Sequence, residues 1–325
     1  MEHLAPLLLS PLLVPKPWGG RRLGALGRSL PDGVDVGESW DVVDLDPADT
    51  VVPDSSSRVA HGPLAGATLH DLVREHRDAL LGTTAPAPGD RFPLLVKHLD
   101  AREPLSVQVH PPAAVLDELP GARLKCESWV VVAADPGAHL AVGLRPGTTP
   151  EQLAVAAGTP EVTRLLRWVP ARVGEVHHVP PGTVHALGAG VVVAEPQTPS
   201  DTTYRLYDWS VETGRTPRPL HTGEALACVR AAWEANLAPA DPVDGDGVLV
   251  ETERMRLSRT TALLDGSVHA PQRLTPRVVV VVSGELRQEQ LPAPLGPGAV
   301  VLLPAAWGGT FDVAAGTTWL DVDAL

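Results

Sequence analysis

Apolar and polar positions alternate with a period of two through most of the chain, broken by three stretches with helical spacing. The clearest alternation lies at residues 105–111: Ser106, Gln108 and His110 fall on one face of a strand, Leu105, Val107 and Val109 on the other. Pro111 and Pro112 end it, since neither can donate to a ladder. Residues 92–100 predict a preceding strand with Lys97 on the face of Leu95 and Leu99, and the turn at 101–104 predicts a hairpin between the two. A strand at 124–134 puts Lys125, Glu127 and Trp129 on one face and Cys126 and Ser128 on the other. Further strand patterns span 174–193 and 202–209, with Asp201 and Arg205, four apart, on one strand face. Helical spacing appears at 68–81, where Leu69, Leu72, Val73 and Leu80 share a face and Thr68 and Asp71 have capping-box spacing. Two short helices are predicted within 150–168, from the starts Thr149-Pro150-Glu151 and Thr159-Pro160-Glu161, and a third segment at 223–236.

The character of the chain changes at 238–247, where Pro, Gly and Asp cluster. Short β runs follow at 278–282, 299–303 and 317–322. The tail reads as a worn copy of the earlier unit: Gly174 to His185 aligns with Gly298 to Gly309, so His185 falls opposite Gly309, and nothing there replaces Gln108, His110 or Glu127. The expected fold is mainly β with helical insertions at about 65–90, 149–168 and 221–236. It divides into a metal-competent barrel over residues 1–240 and a smaller barrel without ligands over 241–325.

Composition sharpens this picture. Gly 30 and Pro 34 in 325 residues favour short strands and tight loops over a helical bundle. A formal charge of −13 excludes a nucleic-acid or anionic-membrane surface, and any anionic substrate then needs a local basic pocket. Cys126 and Cys228 form no framework, which suits a reducing compartment. Residues 1–10 lack the pattern of a targeting signal and no stretch reaches membrane-spanning length, so a cytoplasmic protein is expected. Among 26 basic residues only Lys16, Lys97 and Lys125 are lysines. Where Arg serves almost everywhere, a retained Lys suggests a compact charge or an amine that can release its proton.

The polar residues on otherwise apolar strands need a partner, since burying them unpaired is costly. Gln108 and His110 from one strand, Glu127 from another and His185 beyond the turn at 180–183 offer two imidazoles, a carboxylate and an amide oxygen. That donor set suits Zn²⁺ and also admits Mn, Co or Ni. The zinc spacings of short structural motifs are absent.

Several stretches carry a resemblance in combination: Pro17-Trp18-Gly19-Gly20, Gly37-Glu38-Ser39-Trp40, Leu105 to Pro111, Lys125-Cys126-Glu127-Ser128-Trp129, Pro180 to Leu187 and Ser200 to Trp209. From about residue 16 to 209 the chain resembles type I mannose-6-phosphate isomerase (phosphomannose isomerase) in its shorter bacterial form, a zinc-dependent bicupin. The resemblance implies one Zn²⁺ per chain held by Gln108, His110, Glu127 and His185, in the first of two jelly-roll-like barrels. It also implies a pocket lined by Lys97, Lys125, Asp201 and Arg205, and a small sugar phosphate as substrate. Interconverting aldose and ketose 6-phosphates moves a proton between C2 and C1 through an enediol(ate), which needs a base and a positive group where charge develops on oxygen. Arg205, Lys125 and Asp201 are assigned to that chemistry, and Lys97 and Ser106 to the phosphate. Pro112, Cys126 and the run 195–199 depart from the family pattern; Glu195 stands beside Asp201 and Lys125 as a candidate base, and a contribution of Glu195 or Gln197 to the site is left open. Glu38 and Trp40 read as scaffold, as do His177 and His178. A monomer or homodimer is expected. The alternatives are another sugar-phosphate isomerase or epimerase, or a metal-dependent sugar-phosphate-binding protein without turnover.

Overall fold

The computed structural model of the chain describes residues 4–325, so the first three residues of the segment read for a targeting signal lie outside it. The alternating segments form four antiparallel sheets. Sheet A runs in the order Val176–Val179, Glu127–Ala134, Val191–Gln197, Leu95–Ala101, Val36–Val42, Leu12–Gly20. Sheet B runs Tyr204–Tyr207, Val107–Val109, His185–Leu187, His139–Leu144, Leu166–Pro170. Sheet C has seven strands, in the order Gly247–Glu251, Met255–Thr261, Thr318–Ala324, Arg277–Ser283, Val300–Leu303, Leu7–Ser10, Arg58–Val59. Sheet D is Gly266–Ala270, Gly309–Val313, Leu286–Arg287.

Period-two alternation explains how these sheets stack, because each face of an inner strand serves a different core. On Val191–Gln197, Val193 packs with Leu99, Trp129 and Leu140 between sheets A and B. Its neighbour Ala194 packs with Val96, Val130, Val278 and Val280 between sheets A and C. In sheet C, Val279 and Val281 turn the other way and meet Phe311 and Trp319. The helices Pro150–Ala156 and Thr222–Ala231 cover the outer face of sheet B, burying Leu153, Cys228 and Val229 against Val107 and Val109. Among the described residues no helix is long and apolar enough to cross a membrane.

The molecule is mainly β with few helices, as the alternation predicts. The capping box at Thr68 forms, with its hydroxyl accepting from the Asp71 amide and the Asp71 carboxylate accepting from the Thr68 amide, and Leu69, Leu72, Val73 and Leu80 are all buried. The segment 68–81 nevertheless splits at His76 into Leu69–Glu75 and Arg77–Leu81, and the segment 223–236 splits at Ala232.

Three expectations fail. The hairpin does not form: Leu95–Ala101 pairs with Val191–Gln197 and Val36–Val42, whereas Val107–Val109 pairs with His185–Leu187 and Tyr204–Tyr207. The turn at Glu103 and Pro104 carries the chain across the sandwich instead of reversing it within one sheet. Leu105 lies outside the strand and packs with Trp18 and Leu99, not with Val107 and Val109. Asp201 precedes the strand Tyr204–Tyr207, so it does not share a strand face with Arg205.

Candidate active site and metal centre

Between sheets A and B the inward positions turn polar. Gln108 and His185 face each other across neighbouring strands of sheet B, and Glu127 opens its strand in sheet A opposite Gln197. His110, just past the end of Val107–Val109, completes a group: one ligand atom each from His110, Glu127 and His185 lie within 4.8 Å of one another, all three residues buried.

Hydrogen bonds at the far side of each ring fix the imidazoles. His110 Nδ1 lies 3.0 Å from the Thr202 carbonyl and His185 Nδ1 2.8 Å from the Thr183 carbonyl, so Nδ1 carries the proton and donates in each. Each Nε2 then presents a lone pair to the centre, the arrangement a metal-bound histidine needs. Burial keeps both rings neutral, lowering His110 to about 3 and His185 in the same direction. His110 Nε2 sits 3.1 Å from Glu127 Oε2, two acceptors with no proton between them. His110 Nε2 and both Glu127 oxygens are buried without a hydrogen-bond partner among the described residues. The Lys125 ammonium, 3.1 Å from Glu127 Oε2, meets only one side of this group, and the remaining acceptors are expensive unless a second cation takes them. Burial alone would raise the Glu127 carboxyl, but the Lys125 ammonium holds it well below the usual carboxylate range.

Gln108 borders this group. Its Nε2 lies 3.2 Å from His185 Nε2 and its Oε1 accepts from the Ser106 hydroxyl at 2.9 Å. A half-turn of the amide puts the oxygen into the centre, and the Ser106 hydroxyl can then accept from the amide nitrogen. The residues present therefore fit a divalent cation of the Zn²⁺ type.

A pocket of about 400 Å³ opens beside the centre. All three lysines of the chain line it, together with Arg205 and Arg218, facing Glu38, Asp49, Glu195 and Asp201. Five cations against four carboxylates, on a chain of formal charge −13, make this the local basic site that an anionic substrate requires. Lys125 Nζ lies 3.1 Å from Glu127 Oε2 and bridges the pocket to the centre. Burial disfavours its ammonium, yet Glu127, Glu195 and Asp201 outweigh burial and raise its pKa. Lys97 sits 4.5 Å over the Trp40 ring and within 3.7 Å of Glu38 and 3.9 Å of Glu195. Glu195 Oε2 accepts from the Trp129 indole at 3.0 Å, while burial and the nearby Glu127 push its carboxyl up to about 7. The Thr50 hydroxyl donates to Asp201 Oδ2 at 2.8 Å. Arg205 Nε is buried without a partner among the described residues, and Arg218 binds Asp208 through its Nε at 2.9 Å.

Every residue singled out from sequence (Gln108, His110, Glu127, His185, Lys97, Lys125, Ser106, Asp201, Arg205) lies in or beside this pocket. Sequence reasoning missed Thr50 and Arg218 and, though it noted Lys16 as a retained lysine, gave it no place in the site. Lys16 Nζ lies 3.1 Å from Glu38 Oε1, and Glu38, read as scaffold, lines the pocket with it. The scarcity of lysine was the signal for Lys16, whereas Arg218 is one of 23 arginines and carries none. Gln197 lies outside the pocket and ties down the approach to Asp201 by donating to the Thr198 and Ser200 carbonyls. His178 points away, 3.0 Å from the Ser128 hydroxyl. Cys126, its thiol pushed up to about 12 by burial, supplies no thiolate.

A family model for phosphomannose isomerase type I, catalytic domain, matches residues 32–123. A mannose-6-phosphate isomerase of Streptococcus mutans is 36% identical over 238 residues, covering 72% of this chain and 71% of that one. YvyI of Bacillus subtilis is 31% identical over 308 residues, 93% of each chain. The crystal structure of the mannose 6-phosphate isomerase from Bacillus subtilis aligns with a TM-score of 0.78 at 29% identity, covering 98% of this chain and 99% of that one. The chain belongs to the type I phosphomannose isomerase family.

Proposed function

We propose that the protein interconverts mannose 6-phosphate and fructose 6-phosphate, using one Zn²⁺ per chain held by Gln108, His110, Glu127 and His185. What carries the proposal is the meeting of orphaned acceptors on His110 and Glu127 with a pocket that gathers all three lysines. A divalent ion bound there supplies positive charge beside the sugar oxygens that gain charge during the reaction.

The chain's own groups do the rest. Lys97 and Ser106 take the phosphate, and Lys16 extends the positive wall. Asp201, its Oδ2 held by Thr50, and Lys125, beside the metal ligand Glu127, stand as the proton-transfer groups between C2 and C1. Arg205, with an uncommitted Nε, balances the negative charge of the enediolate. The catalytic unit is a cupin barrel of residues 1–240 and the remainder, 241–325, a second barrel without metal ligands; the strand Leu7–Ser10, which pairs with Val300–Leu303, ties the two together. The enzyme acts in the cytoplasm on a freely diffusing sugar phosphate, as a monomer or homodimer.

The test is to incubate the purified protein with fructose 6-phosphate and follow mannose 6-phosphate, with and without a chelator. Mannose 6-phosphate should form, stop forming on chelation and return with Zn²⁺. No product under any of these conditions, or a different sugar phosphate as product, overturns the assignment.

A further inference from the structure

Sheets C and D enclose a chamber of their own, a cavity of about 180 Å³ walled by Val268, Leu286, Leu303, Phe311 and Trp319. Arg277 stands at its edge. It begins the strand Arg277–Ser283, on which Val279 and Val281 face the cluster of Phe311 and Trp319, so the guanidinium projects from the same side. The residue is only 6% exposed. Its nearest carboxylate oxygen, Asp321 Oδ1, is 3.7 Å away, beyond a hydrogen bond, and Asp321 Oδ2 accepts from the Trp319 indole at 3.2 Å. Asp323, opposite Arg277 in the ladder, is already bonded to Arg273 at 2.6 Å. No hydrogen bond commits the Arg277 side chain among the described residues, although a guanidinium carries five donors in a planar fork.

A largely buried cation whose donors face a mainly apolar cavity specifies its own ligand. The fork matches a carboxylate bidentately. Arg273 also lines the cavity but is neutralised by Asp323, and Asp321 beside Arg277 opposes a dianion such as phosphate, so one negative charge is the match. The apolar walls suit a compact hydrocarbon body, and the volume compares with the roughly 150 Å³ of a cavity that accepts benzene. We infer that the second chamber binds a small monocarboxylate, its carboxylate on Arg277 and its apolar body between Phe311 and Trp319. Burial, which weakens the Arg277 charge and raises the Asp321 carboxyl, leaves their pairing poorly compensated and supports the same site.

Benzoate is a suitable probe, with benzyl alcohol as its uncharged counterpart. In protein labelled with 5-fluorotryptophan, the Trp319 resonance, assigned through Trp319→Phe, reports this chamber separately from Trp18 and Trp129 beside the first pocket. Benzoate should shift the Trp319 resonance saturably, and benzyl alcohol should bind roughly tenfold or more weakly. Arg277→Gln should weaken benzoate by a similar factor. Val268→Phe, which fills the cavity and leaves Arg277 in place, should abolish the shift even if Arg277→Gln does not fold. A Trp319 resonance that never moves, that moves equally with benzyl alcohol, or that moves equally in Val268→Phe overturns the inference. So does a response confined to the first pocket.

Discussion

Along Glu127–Ala134 in sheet A the inward positions are Glu127, Trp129 and Val131; along Arg277–Ser283 in sheet C they are Arg277, Val279 and Val281. Both strands open on a buried ionisable group and continue apolar. The partners differ. Around Glu127 stand two imidazoles whose Nε2 lone pairs converge and a lysine at 3.1 Å, whereas around Arg277 stand an aspartate at 3.7 Å and two aromatic rings. Lone pairs call for a cation, and uncommitted N–H donors call for an anion. Two chambers of similar construction therefore hold opposite chemistries, decided by the few residues at the strand ends, while the apolar positions behind them only hold the frame.

The largest effect comes from emptying the first centre. His185→Ala should take the bound metal from one per chain to near none by elemental analysis, and lower turnover by roughly 10²–10³ or more. The second chamber sharpens the result, because it offers no group of three metal-ligating side chains among the described residues. Metal retained in His185→Ala would mean that the centre lies elsewhere and that the contrast between the chambers is misdrawn.

Next come substitutions that spare the metal. Arg205→Ala and Lys125→Ala should keep the metal content and lower kcat by roughly 10²-fold. Normal turnover in both would remove these side chains from the chemistry. Separating metal content from kcat distinguishes the residues of the pocket from those of the centre.

How far this division could be read beforehand depends on the range of each interaction. Capping at Thr68 and Thr149 is local, and the four-residue spacing carries it completely. The inward alternation of Gln108 and His110 is local too, and with Glu127 and His185 it supplied the candidate ligand set that the family resemblance then assigned to a metal. Strand partnership is not local. The chain between residues 101 and 107 reads as a tight turn whether it reverses within a sheet or crosses to the facing one, and only the pairing of Leu95–Ala101 with Val191–Gln197, nearly a hundred residues on, decides the matter. The second chamber was invisible for the same reason: Arg277 and Asp321 are ordinary charged residues until sheets C and D close over them.

A smaller effect lies in the acid range. Burial pushes the Glu38 carboxyl up, but Lys16, Lys97 and the Trp40 indole prevail and hold it at about 2. Because its folded pKa lies below the unfolded 4.5, Glu38 contributes stability fully above about pH 4.5, and that contribution is lost as pH falls towards 2. Lys16→Met should narrow that window by raising the Glu38 pKa, so that acid unfolding begins at higher pH than in the parent. Unchanged acid unfolding in Lys16→Met would show that Lys16 and Glu38 are not coupled. The second chamber has no counterpart to this effect, since its half-buried carboxyl, Asp321, is shifted upward by desolvation.

The smallest effect tests whether the apolar frame of the second chamber bears on catalysis. Val301 is fully buried, pairs with Leu8 and Val279 in sheet C, and packs in the cluster of Phe311 and Trp319 without lining the cavity. Val301→Ala removes two methyl groups from a close-packed site and should destabilise the protein by about 1–3 kcal/mol, lowering Tm by several degrees. The reacting groups sit on the far side of sheet A, separated from Val301 by the core shared between sheets A and C. At a temperature where the variant is folded, kcat should therefore stay within about twofold of the parent, the reverse of the Arg205→Ala pattern, where kcat falls and the frame is kept. A fall in kcat with Tm unchanged would mean that sheet C transmits strain into the first pocket, and the two chambers would then have to be treated as one mechanical unit.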